Sequence, residues 1–443
     1  MHRLFTAAMD GAASIFRHMR SARRVETMAP VARIRRAARR APAAHAPPKE
    51  PCLKTILSLL LAALLAGCGG SGGDTGTPSS GLPPTSTTRA DATAQADRPD
   101  VDAYLQSELA AQHIPGASLA VMHDGQIVYA KSYGYADTAL PAPMRPELRF
   151  PLASISKQFV ATAVLMLVDE GRLGLDDKLA AYLGSDGPPG WNDITLRQVL
   201  SHTAGLPPLP DQAFFDGIDA PGATTEAAML ARFRTYPLLF PPGTGWSYSN
   251  VGYDLLGFVV SRVTGAFYGD FIEQRIFAPL GMSSARALRS TDTLQGMANG
   301  YRLSGGAWQP LQIDPAMVDY LSTGASGIQM SALDLAKWDA ALGAGTLLSP
   351  ASQALMWTPA PAAVVTPGSY DWGTAYGLGW FLATLPDGEH VASHSGGLPG
   401  YCHEFIRYRD TKWSVVVLTN LDEHQADPKP IAQEVGRLFG ATP

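Results

Sequence analysis

The chain has little cysteine. Cys52, Cys68 and Cys402 are all it contains in 443 residues. They form no C-x-x-C pair and no metal-type spacing, so neither a disulfide framework nor a metal site is expected. Charge is sparse too, with Asp, Glu, Lys and Arg at 16% against 46% hydrophobic residues. A disordered chain needs the opposite balance, so a globular, enzyme-sized protein is expected. Beyond residue 67 positive charge runs short: 22 Lys+Arg face 36 Asp+Glu, whereas residues 1–67 hold 12 against 3. An acidic body argues against nucleic acid as a partner. No internal repeat is visible. Length alone allows two to three average domains.

The apolar run in LKTILSLLLAALLAGCGG (53–70) is too short to cross a bilayer. It follows a lysine and ends in Leu65-Ala66-Gly67-Cys68, which reads as a secretory signal. Leu-Ala-Gly-Cys resembles the bacterial lipobox. That resemblance implies cleavage before Cys68, lipidation of Cys68 and a membrane-tethered protein in the bacterial periplasm. Gly69 in place of Asp after the cysteine implies the outer membrane. Residues 1–52 read either as a basic tail or, with Leu53 as the start, as an artefact of start assignment. Finding residues 1–52 in the native protein would refute the second reading. Residues 53–67 are then the signal peptide, and 68–99, rich in Gly, Ser, Thr and Pro, a flexible linker.

Residues 100–443 read as folded. VDAYLQSELAAQ has helical periodicity. ASLAVMHDGQIVYAKSYGYA (117–136) is two apolar runs around Asp124-Gly125, a hairpin signal. Helical patterns occupy 159–171, 194–206, 251–265, 271–282 and 331–343. Strand patterns return at 376–383, 390–395, 402–409 and 412–420, before a final amphipathic helix. The expected fold class is α+β. Both chain ends build an antiparallel sheet flanked by helices, and a mostly helical subdomain is inserted between them.

FPLASISKQFVATAV (150–164) sets Ser154 three residues before Lys157. One S-x-x-K is weak, because thirty Ser and eight Lys give about 0.5 such pairs by chance. The context adds weight. A capping box takes Glu or Gln at the position of Lys157, and a cation in a first turn opposes the helix dipole by about 0.3–1 kcal/mol. The apolar helix after it implies burial, which lowers a lysine pKa and makes it a base. Residues i and i+3 share a helix face, so Lys157 Nζ can reach Ser154 Oγ. Two readings stand: a cap serine with an incidental lysine, or a nucleophile with its base.

With two further motifs the sequence resembles a known family. Ser154-Ile155-Ser156-Lys157, Tyr248-Ser249-Asn250 and His394-Ser395-Gly396 resemble, in order, the three motifs of the serine β-lactamase and penicillin-binding-protein superfamily. VLSHTAGLP (199–207) and STGASGIQMSALDLAKW (322–338) are similar to stretches of its class C β-lactamase, D-alanyl-D-alanine carboxypeptidase and esterase branch. The resemblance covers about residues 100–440. It implies a β-lactamase/transpeptidase-like fold and an acyl-enzyme at Ser154, with Lys157 taking the proton. Tyr248 would act as a phenolate or as a proton shuttle to the leaving group. Asn250, His394, Ser395 and Gly396 would bind substrate, and the N–H groups of Ser154 and Gly397 would form the oxyanion hole.

The family's usual third motif begins with lysine, a fixed cation for a substrate carboxylate. His394 is mostly neutral at pH 7. This fits ester, peptide or slow β-lactam substrates better than efficient β-lactam turnover. No cofactor is expected. His202 is assigned to structure, and Cys402 reads as a core thiol. Trp246, Tyr320, Trp372, Tyr376 and Tyr401 are core or pocket aromatics. Gly69–Gly73 match G-x-S-x-G but lie in the linker, and His403-Glu404 begins a zincin-like motif on a strand; neither is expected to act. From another class, a non-catalytic cell-wall-binding or penicillin-sensing lipoprotein is the alternative.

Overall fold

Both ends of the chain contribute strands to one antiparallel sheet. The computed structural model describes residues 97–220, 222–289, 296–311, 315–365 and 373–441. The signal peptide, Cys68, almost all of the linker and Trp372 lie outside them.

The strands are β1 (Gly116–His123), β2 (Gln126–Asp137), β3 (Ala142–Pro143), β4 (Ala375–Tyr376), β5 (Phe381–Thr384), β6 (His390–Leu398), β7 (Tyr401–Tyr408) and β8 (Trp413–Thr419). Their order across the sheet is β3-β2-β1-β8-β7-β6-β5-β4. The β1–β2 hairpin turns at Asp124 and Gly125, whose φ angles of 47° and 76° suit a two-residue turn that matches strand twist. β1 pairs with β8, Ala120 opposite Val416, which closes the N-terminal hairpin onto the C-terminal strands.

Side chains alternate across the sheet. Val415 and Val417 face one core with Leu119 and Val121. Helices α1 (Pro99–Ala111) and α5 (Pro428–Phe439) cover that face through Val101, Leu105, Ile431 and Val435. Val416 and Leu418 face the larger core with Ala120, Met122 and Phe405. That core continues into the inserted helices α2 (Lys157–Asp169), α3 (Asn250–Thr264) and α4 (Ala332–Ala344). Every residue of α2 from Lys157 to Leu167 is buried, as its all-round apolar pattern requires.

The expected α+β architecture and helical insertion are present. Three elements differ from expectation. The 194–206 pattern yields only a short helix, Leu196–Leu200, because His202 takes a positive φ of 60° that a helix cannot continue through. The 271–282 pattern is split into Tyr268–Ile272 and a wider turn at Glu273–Phe277. The 376–383 strand is two short strands folded at Gly379, whose φ is 86°.

Candidate active site

Ser154 lies in the tight turn Ala153–Ser156 just before α2. Ala153, the residue before it, is held at φ 51°, a strained conformation for a residue with a side chain. Neither this turn nor α2 has a side-chain cap, so Ser154 does not act as one. Its neighbours fix the turn instead. Leu152 donates its N–H to the Ile328 carbonyl, and Ser156 Oγ accepts the Ile328 N–H at 3.0 Å. The turn and the segment 322–328 are thereby tied together.

Lys157 is fully buried, and its Nζ has three oxygen neighbours. Ser154 Oγ is 3.0 Å away, Asn250 Oδ1 2.7 Å and the Ala325 carbonyl 2.9 Å. The last two oxygens can only accept. A neutral amine has two protons, and these two acceptors use both. Its lone pair is then left for the Ser154 hydroxyl proton. Burial drives the Lys157 pKa down from its ordinary 10.5, and the anion of Asp254 works in the other direction. The site therefore holds a lysine suited to act as a base.

Asn250 is the first residue of α3, not its cap. Ser249 alone caps α3, its Oγ accepting the Gly252 N–H at 3.0 Å, and this leaves the Asn250 amide for Lys157. The Tyr248 ring lies beneath Lys157, 4.9 Å from Nζ to the ring centre. It stacks on Phe381 and lies 4.4 Å from the His202 ring. His202 Nδ1 accepts the Ser249 N–H at 3.1 Å, so this buried histidine positions the tyrosine motif. Burial pushes its pKa well below the usual value and keeps it neutral.

His394 is buried on β6. Its Nδ1 is 2.7 Å from the Ser395 carbonyl, which can only accept, so Nδ1 carries the proton. Nε2 then accepts from the Tyr376 hydroxyl at 3.1 Å. Burial, and then the charge on Lys157, lower its pKa to about 3. His394 therefore contributes no positive charge at neutral pH. Gly396 allows β6 to approach the Ser154 turn, since a Cβ there would meet the Leu152 carbonyl oxygen at 2.2 Å. β5 pairs only with residues 390–393 of β6, so the edge of β6 from Ser395 to Leu398, which includes Gly397, has no β5 partner. The three motifs thus converge through Ser154, Lys157, Asn250 and the Tyr248 ring, with His394 and Gly396–Gly397 on the adjoining strand.

Sequence reasoning missed Asp254 and the Ala325 carbonyl. Asp254 is fully buried one turn after Asn250, and its Oδ1 accepts the Ala325 N–H at 3.2 Å. Burial raises its pKa. The i, i+4 spacing from Asn250 was a usable signal. A backbone carbonyl leaves no signal in a sequence. Of the aromatics, Tyr376 reaches the site through His394, whereas Tyr401 bonds the Ala298 carbonyl in the core.

The Beta-lactamase family model matches residues 101–436. Penicillin-binding protein 4* of Bacillus subtilis (strain 168) is 31% identical over 332 residues, covering 72% of this chain and 71% of its own. Among solved structures, the octameric penicillin-binding protein homologue from Pyrococcus abyssi superposes with a TM-score of 0.67 at 29% identity, covering 77% of each chain. A D-stereospecific amidohydrolase from Streptomyces sp. superposes with a TM-score of 0.64 at 25% identity, covering 79% of this chain and all of that one. The chain belongs to the Beta-lactamase family, in the serine hydrolase superfamily of β-lactamases and penicillin-binding proteins.

Proposed function

We propose that this protein hydrolyses esters or amides through an acyl-enzyme at Ser154. The observation that carries the reading is the arrangement of Lys157 Nζ, with two acceptor-only partners and the Ser154 hydroxyl 3.0 Å away. Ser154 Oγ attacks the carbonyl carbon as its proton passes to Lys157. The carbonyl electrons move to oxygen, beside the N–H groups of Ser154 and Gly397. Collapse expels the alcohol or amine, which leaves with a proton returned from Lys157 directly or by way of Tyr248. Water then cleaves the acyl-enzyme by the same path in reverse.

The neutral, doubly hydrogen-bonded His394 favours substrates that need no cation for a carboxylate. Simple esters and amides therefore rank above β-lactams. A panel of a p-nitrophenyl short-chain ester, a chromogenic cephalosporin and a D-alanyl-D-alanine peptide on residues 69–443 tests this. Ester cleavage is expected. No ester turnover with fast cephalosporin turnover would reverse the ranking. Stable acylation without turnover would favour the penicillin-sensing alternative. From Leu65–Cys68 we further propose lipid attachment at Cys68 and a periplasmic location, which N-terminal peptide mass analysis of the membrane fraction tests.

A further inference from the structure

Glu423 lies where the chain leaves β8, and its side chain packs against Gly397. A Cβ on Gly397 would stand 2.2 Å from Glu423 Oε2 and 3.1 Å from Cδ, so the carboxyl fills the place of the missing side chain. Gly397 is the strand residue whose N–H the proposed mechanism assigns to the oxyanion. Glu423 is partly buried and has neither a hydrogen bond nor an ion pair among the described residues. Its neighbour Asp422 is already paired with Arg302 at 3.0 Å, so that arginine is engaged elsewhere.

A partly buried carboxylate with no counter-ion carries a desolvation cost, and one beside a forming oxyanion opposes the reaction. His394 supplies no compensating charge. Burial, with Asp422 second, lifts the Glu423 carboxyl to about 7, so it ionises across the neutral range. A cation brought by the substrate would resolve both problems. It would pair with Glu423 and offset the oxyanion.

We propose that Glu423 is a specificity-determining residue, whose carboxylate at Gly397 receives the ammonium of substrates that carry a free amine near the scissile carbonyl. This rests on the acyl-enzyme reading of Ser154. The substrate class is thereby narrowed to aminoacyl esters and amides. A substrate with a carboxylate in the same place is repelled. A side chain at 397 would displace the Glu423 carboxylate from this position.

The test compares kcat/KM at pH 8 for the methyl esters of alanine and N-acetylalanine, both enantiomers, with p-nitrophenyl butyrate as an uncharged control. Glu423→Gln has the same shape and cannot ionise. The wild type is expected to prefer the free amine at least 10-fold. In Glu423→Gln that preference is expected to fall below 3-fold, while butyrate turnover holds or rises. A loss of folding would lower all three substrates together, so the opposed changes exclude it. A ratio unchanged by Glu423→Gln, or a wild type that prefers the acetylated ester, overturns the role of Glu423 while butyrate turnover upholds Ser154. No turnover of any ester by the wild type overturns both.

Discussion

Asn250 and Asp254, one turn apart on α3, hold the same lysine from two sides. Asn250 accepts directly from Lys157 Nζ at 2.7 Å. Asp254 acts through Ala325, accepting its N–H while the Ala325 carbonyl accepts from Nζ. One helix face thus sets both acceptor-only contacts that turn the remaining Nζ position toward Ser154.

Replacing Asp254 with Asn keeps the shape and removes the charge. Turnover is expected to fall about 10- to 100-fold in kcat with little change in KM, since orientation and not substrate binding is lost. The anion of Asp254 holds the Lys157 pKa up, so its removal lets that pKa fall further. The acid limb of kcat/KM should therefore move to lower pH. A limb that stays in place would mean that Asp254 only supports the fold.

In the proposed mechanism Lys157 sets the pH at which activity appears. Its pKa is lowered in the fold, so the base form appears below the ordinary lysine value of 10.5. Activity should rise with pH along one limb well below that value. Lys157→Arg keeps a cation that cannot give up its proton, and a loss of about 10²–10⁴ in kcat/KM is expected across the whole pH range.

Much of this was legible in the sequence. Asp124-Gly125 announced the hairpin, and the spacing of Ser154 and Lys157 placed both side chains on one helix face. The lysine in an apolar first turn pointed to a base with a lowered pKa, and burial provides the cause. What was not legible depends on contacts between distant segments. His202 ends its helix through backbone strain that residue type does not encode. That the Asn250 amide is taken up by Lys157, 93 residues earlier in the chain, follows only from the packing of α2 against α3. Glu423 lies 26 residues beyond Gly397 in sequence and meets it only because β6, β7 and β8 are adjacent in the sheet.

Acid should unfold this protein partly through buried histidines. His394 has a folded pKa of about 3 and His403 of about 4, both below the unfolded 6.5, with burial as the main cause. Between those values the unfolded chain binds more protons. This stability is complete above pH 6.5 and is lost as pH falls through the folded values. At about 1.36 kcal/mol per pKa unit, each group contributes up to several kcal/mol. Urea midpoints measured from pH 7.5 to 4 should fall steeply, and His403→Gln should flatten part of that slope. Equal slopes in both proteins would contradict this.

Gly396→Ala should damage both stability and activity. The added methyl meets the Leu152 carbonyl at 2.2 Å, and that backbone is tied to Ile328. Something must move, at about 1–3 kcal/mol or more. The moving part carries Ser154, so a loss of at least ~100-fold in kcat is expected alongside a lower Tm. Full activity would mean that β6 does not set the nucleophile turn.

The proposed mechanism requires that Ser154 becomes acylated with Lys157 as its base. The most direct measurement is labelling with a fluorophosphonate, followed by peptide mass analysis, on the wild type, Ser154→Ala and Lys157→Arg. One adduct on the peptide containing Ser154 is predicted, absent in Ser154→Ala and at least ~100-fold slower in Lys157→Arg. An adduct on another residue, or ester hydrolysis that survives in Ser154→Ala, would contradict the account.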